Sequence, residues 1–96
     1  MFEQLNQMKQ QMADLQSKMD EMRVSASAGD GLVTAEANGN GRITNLILDD
    51  DWFKSCEAEE AAELIQVAVN RAIEAASEKH ASEMRNLAGG MMPGMF

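Results

Sequence analysis

LVTAEANGNGRITNLIL, residues 32–48, holds two strand-like runs on either side of a doubled Asn-Gly pair. In the first run Val33, Ala35 and Ala37 share one face and Thr34 and Glu36 the other, the period-two pattern of a half-buried antiparallel strand. Asn38-Gly39-Asn40-Gly41 ends that run, and because Asn and Gly both tolerate positive φ, the segment predicts a tight hairpin. The returning strand covers residues 42–48, yet Ile43, Leu46, Ile47 and Leu48 do not keep one parity. Either a bulge shifts the alternation or a partner buries the second face. Working backwards, Val24, Ala26 and Ala28 alternate with Ser25 and Ser27, and Gly29 and Gly31 flank Asp30 as a turn or bulge. A sheet over residues 24–48 follows.

Helical patterns flank it. Residues 1–23 contain no Gly or Pro and are rich in Gln, Met, Leu, Lys and Glu, all good helix formers. Within them Leu5, Met8, Met12, Leu15, Met19 and Met22 recur at alternating steps of three and four, an apolar seam with the 3.5-residue period of paired helices. Alone, such a helix leaves its seam in water, so a partner helix or a second copy of the chain is expected to cover it. Four of the nine methionines lie on this seam, where an unbranched, adaptable side chain suits helix packing.

Beyond the sheet, Asp49-Asp50-Asp51 breaks the strand and reads as a solvated loop, since it lacks the spaced ligands of a calcium site. Trp52 and Phe53 are the largest apolar side chains of the connection that follows. Residues 57–88 predict a second helix whose stripe runs Ala58, Ala61, Ala62, Leu64, Ile65, Ala68, Val69, Ala72, Ile73 and Ala76. Its wide, mostly small face allows close approach to a sheet or to another helix. Gly89-Gly90 predicts its stop, and residues 89–96, with Met91, Met92 and Met95, read as a flexible tail. The whole chain, residues 1–96, is read as a single α+β domain: a long N-terminal helix, a three-stranded antiparallel sheet with an Asn-Gly hairpin, and a long C-terminal helix.

Little in this inventory suggests catalysis. There is one His, one Cys and no Tyr, and no HExxH, CxxC, Walker or GxSxG pattern. His80 without neighbouring Cys or His cannot make a zinc site, and Cys56 without a base partner reads as an ordinary thiol. No enzyme, cofactor or metal is expected. A lone cysteine and no signal-peptide pattern suggest a reducing, cytoplasmic setting, and no apolar run is long enough to cross a bilayer. The formal net charge of −8 argues against coating nucleic acid through bulk charge, so any phosphate-binding surface must be local. At this length folding buries only about two-thirds of the unfolded chain's surface, which makes an oligomer a real source of stability.

The order helix, NG hairpin, Ala-rich helix resembles the YbaB/EbfC family of bacterial nucleoid-associated proteins. The residues carrying the resemblance are MKQQM at 8–12, GLVTAEANGNGRITNLIL at 31–48, ELIQVAVNRAIEAA at 63–76 and MRNLAGGMMPGMF at 84–96. Each block is modest alone; in this order and spacing they are fairly specific and cover nearly the whole chain. The resemblance implies a tweezer-like homodimer, each subunit with a three-stranded sheet between two long helices, that binds duplex DNA in the nucleoid with little sequence preference and affects nucleoid organisation and gene expression. The family's usual Asp-Pro after the last strand is Asp49-Asp50 here, and its Gly-rich extension before the first helix is absent.

Charge by segment locates the least repulsive surface for phosphates. Residues 1–23 are close to neutral, residues 57–78 carry six Glu against Arg71, and Lys79 and Arg85 outnumber Glu83 beyond them. If the two long helices run antiparallel, this last stretch lies beside the start of the first. Lys9, Lys18, Lys79 and Arg85 are therefore the expected DNA contacts, and Leu5, Met8, Met12, Leu15, Met19 and Met22 the dimer or helix-packing seam. A second possibility is an acidic dimeric module that docks another protein through the seam or the Met-rich tail.

Overall fold

The computed structural model describes residues 2–91 of the chain. They form α1 (Phe2–Glu21), β1 (Arg23–Ala28), β2 (Val33–Asn38), β3 (Ile43–Leu48), α2 (Asp50–Ser55) and α3 (Ala58–Met91). The strands make one antiparallel sheet in the order β1-β2-β3. Cross-strand pairing sets Val24 opposite Ala37, Ala26 opposite Ala35 and Ala28 opposite Val33, so the alternating apolar residues of β1 and β2 share one face. The β1–β2 turn runs through Gly29, Asp30 and Gly31, all at positive φ, which Gly adopts freely and Asp tolerates.

A bulge resolves the broken parity of β3. Glu36 pairs with Asn45 but Ala37 pairs with Ile43, leaving Thr44 as the extra residue. That single step puts odd-numbered Ile43 on the same face as even-numbered Leu46 and Leu48, opposite Ala37, Ala35 and Val33. Thr44 Oγ1 donates to the Glu36 carbonyl at 3.2 Å and lies 3.1 Å from its carboxylate. Only Ile47 is left on the outer face, 54% exposed.

α3 covers β1 and β2 and meets β3 only at its margin. The core is built from small residues: Ala28, Val33, Ala35 and Ala37 of the sheet against Ala68, Ala72 and Ala76, every fourth residue of the helix. Alanine at these positions lets helix and sheet backbones come close, and Val24, Ile43, Leu48, Leu64, Ile65 and Val69 close the edges.

Three readings of the sequence change. First, the Asp49–Asp51 stretch is not a loop: Asp49 caps α2, its carboxylate accepting from Trp52 N–H at 2.9 Å, and the turn of helix tucks Trp52 against the core. Position 50, where the resemblance would put proline, is the first residue of that helix. Its N–H has no intrahelical acceptor, so proline and an acidic residue both suit it. Second, α3 continues through Gly89 and Gly90 to Met91. Glycine costs about 1 kcal/mol of helix propensity, which weakens a long helix without forbidding it. Residues 92–96 of the expected tail lie outside the described residues. Third, of the doubled Asn-Gly pair only Gly41 has positive φ, at 83°. Gly39 is required for space instead: a Cβ there would lie 2.6 Å from Met19 Cε and 2.9 Å from the Met19 carbonyl oxygen.

Candidate nucleic-acid interface

Met19 docks α1 on the hairpin. Its side chain is fully buried, the N–H of Gly39 donates to its carbonyl at 2.8 Å, and the Asn40 amide donates to the Gln16 carbonyl and to Asp20. Asn38 holds the turn from inside, its buried side-chain oxygen accepting from the N–H groups of Asn40 and Arg42, each at 3.0 Å. From this anchor α1 runs out along the C-terminal half of α3. Lys18 Nζ lies 3.0 Å from Glu83 Oε2, and one cleft is lined by Gln11, Asp14, Leu15 and Lys18 on α1 and by Glu83, Asn86 and Leu87 on α3. Later residues of α3 thus face earlier residues of α1: the pair is antiparallel and forms an arm that projects from the sheet. The described residues extend 62 × 24 × 16 Å, with a radius of gyration of 18.1 Å against about 13 Å for a compact chain of this length.

The seam divides along this arm. Leu15 and Met19 are buried within the subunit and Met22 is half-buried. Leu5 and Met8 remain 50% exposed and Met12 48%. The same helix therefore uses one seam for two purposes, anchoring at its C-terminal end and presenting an uncovered apolar strip at the other.

Of the four cations expected to meet phosphate, the fold brings two together. Lys18 and Lys79 flank the largely buried Glu83 carboxylate, at 3.0 and 4.0 Å. Lys9 borders a second cleft, with Leu5, Met8 and Met12, and Arg85 is exposed on α3; neither joins an ion pair among the described residues. Elsewhere, Arg23 pairs with Glu36, Lys54 with Asp50, and Arg71 donates to the Ser27 carbonyl at 2.9 Å. Arg42 was not among the expected contacts, although it too is exposed and outside any ion pair among the described residues. Its place right after the Asn-Gly turn was the available signal, since a residue leaving a tight turn faces solvent.

The acidity lies elsewhere. Glu59, Glu60 and Glu63 occupy the opposite end of α3, and Glu57 directly precedes it. Twenty-five residues of helix separate Glu60 from Arg85, about 37 Å. At physiological ionic strength charges are screened over about 8 Å, so this cluster does not repel an anion held at the arm. Among the described residues no three His, Cys, Asp or Glu side chains gather as a metal site, and no helix is long and apolar enough to cross a membrane.

A three-stranded antiparallel meander with one long helix across its face and another projecting from its hairpin defines an α+β protein of order α-β-β-β-α-α. The chain belongs to the YbaB/EbfC DNA-binding family, whose model matches residues 1–91. It is 39% identical to a nucleoid-associated protein of Clostridium novyi (strain NT), over all of this chain and 85% of that protein. A nucleoid-associated protein of Caulobacter sp. (strain K31) is 33% identical, over 99% of this chain and 90% of that one. The crystal structure of an uncharacterized protein from Helicobacter pylori superposes with a TM-score of 0.66 at 26% identity, covering 91% of this chain and 96% of that chain.

Proposed function

We propose that two copies of this chain form a homodimer that binds duplex DNA in the bacterial nucleoid, mainly through phosphate contacts and with weak sequence preference, and so affects nucleoid organisation and gene expression. Family membership over residues 1–91, together with relatives named as nucleoid-associated, is the observation that carries DNA as the partner. The uncovered strip of Leu5, Met8 and Met12 supports the homodimer, because a second copy of the same strip would remove it from water in an isologous contact. Lys9, Lys18, Lys79 and Arg85 on the arm, joined by Arg42 at its base, are assigned to phosphates. The near-neutral arm, remote from the acidic end of α3, reconciles this role with a net charge of −8. No helix is assigned to base readout, and phosphate contacts by themselves carry no sequence information.

The test is an anisotropy titration on several unrelated duplexes across a range of salt. If about six phosphates are neutralised per dimer, log affinity falls against log salt with a slope near −5 on every duplex. A flat salt dependence would refute phosphate binding. Absence of binding at low salt would move the assignment to an acidic dimeric module with a protein partner.

A further inference from the structure

Two of the chain's asparagines, Asn38 and Asn40, are followed by glycine. An asparagine loses its side-chain amide when the backbone nitrogen of the next residue attacks the side-chain carbonyl carbon, expelling ammonia and closing a succinimide ring. Water then opens the ring to aspartate or, at the other carbonyl, to isoaspartate. A side chain on the attacking residue obstructs that approach, so Gln7, Leu46, Arg71 and Leu87 shield Asn6, Asn45, Asn70 and Asn86, whereas glycine leaves the path open.

The fold treats the two Asn-Gly bonds differently. Asn38 is buried, its side-chain oxygen accepts from the N–H groups of Asn40 and Arg42, each at 3.0 Å, and the Gly39 N–H is held by the Met19 carbonyl at 2.8 Å. Neither reacting group of that bond is free to turn while α1 is seated. Asn40, by contrast, is exposed. The Gly41 N–H donates a 3.1 Å turn bond to the Asn38 carbonyl, and beyond the chain neighbours no heavy atom lies within 4 Å of the place a Cβ on Gly41 would take. Opening one turn bond at the surface frees the attacking nitrogen, and openings of that kind cost far less than global unfolding.

The Asn40 amide nitrogen also ties the hairpin to α1, donating to the Gln16 carbonyl at 3.2 Å and to Asp20 Oδ1 at 2.5 Å. An ionised carboxylate only accepts hydrogen bonds. In the amide's place it sets acceptor against acceptor at Gln16 and charge against charge at Asp20.

We propose that Asn40 is a site of spontaneous deamidation, and that its conversion to aspartate or isoaspartate loosens α1 from the hairpin. The amide nitrogen leaves as ammonia, the oxygen of water ends in the new carboxyl group, and the Gly41 N–H is restored when the ring opens, so water is the one co-reactant. The isoaspartate product also adds a methylene to the backbone of the turn. The base of the arm then keeps the seat of Met19 on Gly39 but loses its polar clamp. The reaction does not depend on DNA binding.

The full-length protein, aged in a mildly alkaline buffer, is expected to show the mass gain of an amide-to-acid exchange at Asn40 before any at Asn38, read by peptide mapping, while in concentrated urea both bonds should convert. Gly41→Ala should suppress the change at Asn40. Hydrogen exchange of the aged protein should show lost protection in the last turns of α1, in step with the converted fraction. Asn40→Asp should reproduce that loss without ageing. Adding Asp20→Asn to it should restore protection, because the new amide at position 20 donates to the carboxylate at position 40, a rescue that general damage to the turn would not permit. Asn38 converting first, Asn40 staying intact in the folded protein while it converts in urea, or fully converted protein that keeps α1 protected would overturn the proposal.

Discussion

At the residue scale, two glycines of the hairpin are required for different reasons. Gly41 has open space around it and needs only its positive φ, so Gly41→Ala should cost about 1 kcal/mol of conformational strain. Gly39 has an ordinary φ but no room, and Gly39→Ala should cost about 1–3 kcal/mol by overpacking while pushing Met19 and its backbone away. Hydrogen exchange separates them: only Gly39→Ala should raise exchange in the last two turns of α1, and equal behaviour of the two variants would show that α1 is not seated on the hairpin. Lys18 poses a different question, because its ion pair with Glu83 is more than half exposed on the lysine side. Removing that pair in Lys18→Gln should change stability by less than about 1 kcal/mol. If Lys18 also meets phosphate, the same variant should reduce the magnitude of the salt slope of DNA binding by about 1 for each phosphate it no longer neutralises. An unchanged slope would confine Lys18 to the arm's internal ion pair.

The seam of α1 is best tested as an element, by its two halves. Met19→Glu puts a charge into a fully buried position against the hairpin and should undock α1 from its own subunit, read as loss of exchange protection along the helix and a fall in melting temperature. Met8→Glu with Met12→Glu alters side chains already half in water and should leave the subunit folded, while size-exclusion chromatography with light scattering reports its dissociation. A dimer that survives the second pair of changes would place the subunit contact elsewhere, the exposed Leu46 and Ile47 of edge strand β3 being the next candidate. Other elements were legible in the sequence to differing degrees. β1 and β2 were plain, because strict alternation over six residues follows from one buried face. Helix α2 was hidden, because six residues beginning with two aspartates carry no period, and only the geometry of the Asp49 cap distinguishes them from a loop. The end of α3 was misplaced because Gly-Gly weakens a helix without forbidding it.

At the scale of the whole molecule, elongation is the governing fact. Residues 2–91, spanning 62 Å, have given up compactness to project an arm, and their small alanine core leaves little reserve of buried area. Chains dissociated by the Met8 and Met12 changes should therefore scatter X-rays with a radius of gyration near 18 Å rather than the roughly 13 Å of a compact fold. A compact value would mean that the arm folds back in solution.

What the sequence determined by itself was local and periodic: two helices, three strands, the hairpin between the second and third, the apolar seam, and the segregation of negative charge into the first half of the last helix. Periodicity reports which face of an element is apolar, and it does so without knowledge of neighbours. It does not report what covers that face. Only the tertiary structure decided that Leu15 and Met19 are covered by the chain itself while Leu5, Met8 and Met12 are not, that Lys18 and Lys79 share one carboxylate, and that Met8 and Met12 line one cleft with His80 and Met84. Each depends on where a helix lies relative to residues distant in the chain, and that placement is set by the fit of Met19 over Gly39 and of the alanine face over one face of the sheet; the alanine stripe is visible in the sequence, but the surface it meets is not.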